Sequence, residues 1–324
     1  MPPQRRPTIP LELQPRQKDL AFDLDRALSG VVSLKALAPD DAFTAKSLGA
    51  ERLGHGIVIR QSGLVLTVGY LIVEAHEIWL RTIDGRVVEG HSLAYDQETG
   101  FGLVQAMSSL DLPVLPIGDS REVAPGDSLI IAGSGGREAA LSSNCVARQP
   151  FAGYWEYWIA DAIMCAPAHP FWGGAPAIDE KGRLAGVTSL QVETGDGRNG
   201  QSLNMAIPID LLMPVLDDLV KFGRPNKPPL PWLGIYATEI GERVVIAGVA
   251  EEGPAEIAGV EVGDILVAVA GEKATSLGEV WRRVWAQGAA GVEVPLLIER
   301  QDRVIEVRVK SSDRLLFVRA RVIH

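Results

Sequence analysis

The sequence predicts a mainly β chain, in which barrels or sandwiches of short strands precede a smaller αβ module. Three observations predict it. Short apolar runs rich in Val, Ile and Leu recur at close spacing, with Gly, Asp and Asn between them, as in barrels and sandwiches rather than βαβ units. Gly 34 and Pro 21 are dispersed as turns, without the period of collagen or the bias of low-complexity chains. A stiff run, Gly223-Arg-Pro-Asn-Lys-Pro-Pro-Leu-Pro, separates two stretches of different texture.

Taken in order, residues 1–30 form a Pro-rich, charged extension ending in a short amphipathic helix from about Leu20. From Val31 the strands begin: Gly56-Ile-Val-Ile, Gly63-Leu-Val-Leu-Thr, Glu77-Ile-Trp-Leu-Arg, Gly102-Leu-Val-Gln-Ala, Ser128-Leu-Ile-Ile-Ala and Leu184-Ala-Gly-Val-Thr. Ile207-Pro-Ile-Asp-Leu-Leu-Met opens a helix toward the linker at 223–230. The αβ module runs over 231–312, and 313–324 is a tail.

With 324 residues, 47% of them hydrophobic, the chain can bury two or three cores. A formal charge of -10 with no long basic run argues against nucleic acid as a partner. No apolar stretch is long enough to span a bilayer, and no export signal follows Met1, so a cytoplasmic location is expected, or a periplasmic one if the natural start lies upstream. Two cysteines, Cys145 and Cys165, make neither a disulfide framework nor a zinc site, and are expected reduced and buried. No cofactor and no metal is expected.

The later module carries Gly253-Pro-Ala-Glu-Ile-Ala-Gly-Val-Glu-Val-Gly-Asp-Ile-Leu, with Trp232-Leu233-Gly234-Ile235 ahead of it and a helix from Leu277 behind. This arrangement resembles the PDZ domain of HtrA/Deg serine proteases. The resemblance implies a groove that adds an extended peptide as a strand and captures its terminal carboxylate on N–H groups of the Leu-Gly loop. Trp232, Leu233, Gly234, Ile235, Leu277 and Trp281 are the implied peptide-binding residues; Val280 and Val284 read as core. The partner class is a protein or peptide with an extended C-terminal segment.

The first module, 31–222, resembles the same family. His55-Gly56-Ile-Val-Ile, Leu184-Ala-Gly-Val and Met205-Ala-Ile-Pro-Ile resemble its strand motifs, which implies a chymotrypsin-like double β-barrel followed by the PDZ domain. Matched the same way, Tyr70 falls where the family has its histidine base, Gly100 where it has the orienting aspartate, and Trp172 where it has the serine. A phenol with a pKa near 10 is a poor base at neutral pH, glycine has no side chain, and indole is no nucleophile. Pro170 stands where an oxyanion-hole N–H is needed and has none. Loss of a triad costs on the order of a million-fold. The expectation is therefore a pseudoprotease, not an enzyme: a non-catalytic peptide-binding scaffold or regulatory subunit. Two alternatives stand beside it: a hydrolase using displaced residues of the same cleft, with serine-type endopeptidase activity retained, and a structural subunit of a homo-oligomer, by resemblance a trimer.

Among other candidates, Gly133-Ser134-Gly135-Gly136 imitates a nucleophile loop but reads as a turn after a strand. His169 near Cys165 reads as a hydrogen-bonded histidine. His55, His76 and His91 show no metal spacing.

Overall fold

A computed structural model describes residues 8–194 and 200–318. The first residues of the extension, the last of the tail and 195–199 lie outside them. The protein divides into two compact units. Among the described residues, one is built from 8–149 and from 161–226; the other joins Pro150–Ala160 to 227–318.

In the first unit, helix α1 (Leu24–Ser29) starts four residues later than the sequence suggests, because the Asp23 carboxylate caps it by accepting the Arg26 N–H at 3.0 Å. Strands β1 (Val31–Leu37), β2 (Glu51–Arg60), β3 (Leu64–Val68), β4 (Glu77–Arg81), β5 (Val87–Tyr95) and β6 (Phe101–Ala106) close into a barrel in the order β1-β2-β3-β6-β5-β4. Short helices α2 (Ala45–Leu48) and α3 (Gly69–Ile72) interrupt them. The period-two pattern explains the strands: in β4 Ile78 and Leu80 are buried between exposed Glu77, Trp79 and Arg81. Buried positions on both faces of these strands, such as Val32, Leu34, Ile57, Leu66, Phe101 and Leu103, are sealed, and each gains about 1.5–3 kcal/mol by burial.

A second closed barrel follows: β7 (Ser128–Ala132), β8 (Ala140–Ala152), β9 (Trp158–Ala166), β10 (Pro176–Ile178), β11 (Leu184–Thr194) and β12 (Gln201–Pro208), in the order β10-β11-β12-β9-β8-β7. Its interior holds Ile131, Cys145, Ile163, Cys165, Ala177 and Ala206. Both cysteines are free and buried, and burial raises both thiol pKa values. The stretch from Ile207 completes β12 and a 3-10 turn before helix α4 (Leu216–Phe222), because Pro208 fixes an extended backbone there. Gly223 ends α4 in the left-handed conformation.

The second unit contains β13 (Ile235–Ile240), β14 (Arg243–Val249), helix α5 (Pro254–Ile257), β15 (Ile265–Val269), β16 (Glu272–Lys273), helix α6 (Leu277–Trp285), β17 (Glu293–Arg300) and β18 (Arg303–Lys310). The sheet runs β13-β14-β15-β17-β18 with β16 on β15. Helix α6 opens on an N-cap: Ser276 Oγ accepts the Glu279 N–H at 3.3 Å, and the Glu279 carboxylate accepts the N–H of the preceding Thr275 at 2.8 Å. It buries Leu277, Val280, Trp281 and Val284, one face at i, i+3, i+4 and i+7. No helix among the described residues is long and apolar enough to cross a membrane.

Candidate functional site

In the barrel unit, the chain neighbours of positions 70, 100 and 172 meet. Tyr70 lies in α3, just past β3, and its hydroxyl donates to the Ser189 carbonyl at 2.8 Å. A Cβ on Gly173 would stand 3.0 Å from that hydroxyl, so the residue after Trp172 lies against the phenol. The Gly69 N–H donates to the Gly100 carbonyl at 2.7 Å, and Gly100 itself is in the left-handed region at φ 84°. Burial raises the Tyr70 pKa, which keeps the phenol neutral. Trp172 is partly exposed; its carbonyl accepts from Ala175 N–H at 2.9 Å and from the Thr188 hydroxyl. Pro170 is exposed.

Two buried imidazoles hold the 167–174 loop. His55 Nδ1 accepts the Ser134 N–H at 3.1 Å, so its proton sits on Nε2, which donates to the Phe171 carbonyl at 3.1 Å. His169 Nδ1 accepts the Phe171 N–H at 3.0 Å, and its Nε2 donates to the Ala139 carbonyl at 3.0 Å. The Asn204 side chain accepts the His169 N–H at 2.6 Å. Phe171 is thus gripped at both backbone groups, and its ring packs edge-on to His55 at 5.3 Å. Burial lowers the His169 pKa and keeps it neutral. Gly133 lies between the imidazoles: a Cβ there would meet His169 Cε1 at 3.2 Å and His55 Cε1 at 3.4 Å. His169 is hydrogen-bonded rather than paired with Cys165. His76 is solvent-exposed, 4.0 Å from the Glu77 carboxylate. Among the described residues no group of His, Cys, Asp or Glu could hold a metal ion.

In the second unit, the N–H groups of Leu233, Gly234 and Ile235 converge on one point, because Gly234 at φ 80° turns the backbone there. Leu233, Ile235 and Trp281 are sealed, Leu277 is buried, and Trp232 is buried against the Phe317 ring at 4.7 Å. The Leu277 N–H donates to Glu239 at 2.6 Å, tying the start of α6 to the end of β13. The three N–H groups hold a carboxylate that sequence reasoning did not single out: that of Glu156, with Oε1 at 3.0, 2.6 and 3.0 Å from Leu233, Gly234 and Ile235, and Oε2 at 3.0 Å from Leu233. Its only sequence signal is an acid set among Phe151, Tyr154, Trp155, Tyr157 and Trp158.

Two closed six-stranded barrels, followed by a sheet whose first strand carries an N–H cradle beside a helix, define a trypsin-like protein with an appended PDZ domain. A trypsin-like peptidase domain family matches residues 54–187 and a PDZ domain family matches 231–311. The chain is 26% identical over 318 residues to the serine endoprotease DegS of Salmonella typhimurium, covering 90% of this chain and 85% of that one. It is 27% identical over 240 residues to a probable periplasmic serine endoprotease DegP-like of Pseudomonas putida, covering 69% of this chain and 48% of that protein, about half its length. The solved structure of the HtrA-type protease AlgW with decapeptide superposes with a TM-score of 0.54 at 18% identity, over 89% of this chain and 97% of that one. The serine endoprotease from Yersinia pestis does so at 0.51 and 22%, over 90% and 98%. The last two share the fold. The chain thus carries a trypsin-like peptidase domain followed by a PDZ domain, and is similar over most of its length to the serine endoprotease DegS.

These relatives correct one expectation. The chain was expected to be a pseudoprotease and no enzyme, yet the proteins it matches by sequence are named serine endoproteases. The physical reason is that triad chemistry is defined by geometry and role rather than by place in the chain. Equating Tyr70, Gly100 and Trp172 with triad positions used short motifs, and such motifs do not report what other side chains the fold brings to the cleft.

Proposed function

We propose that the protein is a serine-type endopeptidase of the HtrA kind, whose PDZ groove receives a polypeptide terminus and whose barrel unit hydrolyses peptide bonds with residues other than those at 70, 100 and 172. The observation that carries this reading is the trypsin-like peptidase match over residues 54–187, together with the endoprotease names of the relatives. Within that stretch, Ser134 follows Gly133, whose α-carbon faces the imidazoles of His55 and His169. In the geometry described, the His55 Nδ1 lone pair is engaged by the Ser134 N–H. Turnover at this serine therefore requires the Gly133–Gly136 loop to shift, so that its Oγ replaces its N–H on the ring.

The test is fluorophosphonate labelling and casein turnover by the full chain. Labelling is expected at Ser134, with label and turnover both lost in Ser134→Ala. Label on another serine would keep the endopeptidase and move its nucleophile. Absence of both label and turnover refutes the reading.

A further inference from the structure

The Glu156 carboxylate makes no ordinary side-chain contact. It lies in the segment Pro150–Ala160, between β8 and β9, which packs as part of the PDZ unit although it is far from it in sequence. Its oxygens take N–H groups from three consecutive residues of the Trp232-Leu-Gly-Ile run, and it is 3% exposed. The residues before it continue the pattern of a bound strand. Trp155 bridges antiparallel to Tyr236, and the Tyr154 carbonyl accepts the Ala237 N–H at 2.7 Å. One step further, the Gly153 carbonyl accepts the Trp281 indole N–H at 3.0 Å from α6. Trp158 and Ala152 lie against Gly278 of the same helix, which has no Cβ to keep them off. Beyond Glu156 the chain turns back, the Gly153 N–H donating to the Tyr157 carbonyl at 2.9 Å.

We propose that Gly153–Tyr157 is a built-in ligand of the PDZ groove, with the Glu156 side chain seated in the N–H cradle as a substitute for a chain terminus, so that an incoming C-terminal peptide must displace it. The segment supplies both parts of peptide capture by strand addition: main-chain pairing along β13 and a carboxyl group in the cradle. Being covalently attached, it competes at a high effective concentration. An occupied groove lowers the apparent affinity for any outside peptide by the fraction of time it stands open. The inference deepens the peptide-binding part of the proposed function and is independent of hydrolysis.

The experiment uses the full chain as wild type, Glu156→Ala and Glu156→Gln. The probe is a fluorescein-labelled peptide, Gln-Pro-Phe-Ala-Gly-Tyr-Trp-Val, with a free C-terminal carboxylate, compared with its C-terminal amide. Glu156→Ala is expected to bind the free-carboxylate peptide at least about tenfold more tightly than wild type, with no gain for the amide. Without any peptide, hydrogen exchange at Leu233, Gly234 and Ile235 is expected to be at least about tenfold faster in Glu156→Ala. Glu156→Gln keeps the side chain's shape and one acceptor oxygen; it should show a smaller change of the same sign, and it reports in place of the alanine variant if that one unfolds. Wild-type affinity equal to that of the variants overturns the proposal. So does unchanged exchange at the three amides, even if no chain binds the peptide. Neither outcome touches the endopeptidase reading, which is decided by label and turnover.

Discussion

If Glu156 sits in the cradle, the groove should open as pH rises, and the size of the effect follows from its surroundings. Removing the carboxylate from water raises its pKa; the N–H groups of Ile235, Leu233 and Gly234, and then the Arg314 charge, pull it down less, and the balance is about 7 against an ordinary 4.5. The phenol of Tyr236, whose pKa burial raises, stays neutral through this range. A raised carboxyl pKa means that the seated state holds its proton longer than the released state. Its contribution is therefore complete below about pH 4.5 and is lost as pH rises through about 7. The full span is on the order of 3 kcal/mol, at 1.36 kcal/mol per unit. Between pH 5.5 and 7.5 the same two values weaken seating by on the order of twentyfold. The assay is fluorescence polarisation of the free-carboxylate peptide at those two pH values. The peptide's own carboxyl, with a reference pKa near 3.5, is ionised at both and adds no slope. Wild type should bind more tightly at pH 7.5, and Glu156→Gln should show no such gain. Equal wild-type affinity at both pH values, or the same slope in Glu156→Gln, refutes the reasoning.

Two further outcomes are expected in the barrel unit. Arg52, 4% exposed, donates to the carbonyls of Gly49, Tyr70 and Val73 at 3.0, 3.0 and 2.6 Å and to the Thr44 hydroxyl at 2.8 Å. Arg52→Met leaves those acceptors buried without a donor and should cost about 3–5 kcal/mol, lowering the melting temperature on the order of 10 °C; a drop under about 2 °C by calorimetry would show that the cluster is dispensable. At Gly174, φ is +77° and a Cβ would stand 2.3 Å from the His55 carbonyl oxygen, so Gly174→Ala should destabilise by about 3 kcal/mol in urea unfolding. Gly126, at φ +101° with open space around it, should cost only about 1 kcal/mol when changed to Ala, and equal losses at the two positions would show that the close approach at Gly174 carries no weight.

Much of the fold was legible because its causes are local. Alternation in Val31–Leu37 and Glu77–Arg81 marks strands with one face inward, and the helical spacing of Leu277 and Trp281 marks a face of α6. The N–H cradle was legible too, since Trp232-Leu-Gly-Ile is itself the loop. Its occupant was not. Glu156 lies 77 to 79 residues from the amides that hold it, in a run where Phe151, Tyr154, Trp155 and Trp158 fall at a helical i, i+3, i+4, i+7 spacing although the chain there forms no helix. Nothing in the local pattern distinguishes a carboxylate that will be buried on three N–H groups from one that will face water.

The barrel unit shows the same boundary between local and long-range causes. His55 was read as scattered and His169 as hydrogen-bonded, and neither reading contains their joint effect. That effect arises because β2 carries His55 under a loop 116 residues away, where its Nε2 meets the Phe171 carbonyl while His169 takes the Phe171 N–H. Each bond requires its ring neutral with the proton on Nε2, so the two imidazoles act here as clamps rather than as bases. A serine beside a clamp becomes a nucleophile only if the clamp lets go. The loop from Gly133 to Gly136, which holds Ser134 and feeds its N–H to His55, is therefore the segment that must move if this chain cleaves at that residue. Fluorophosphonate label on Ser134 would show that this loop moves, and casein turnover with Ser134 unlabelled would show that the clamp stays closed.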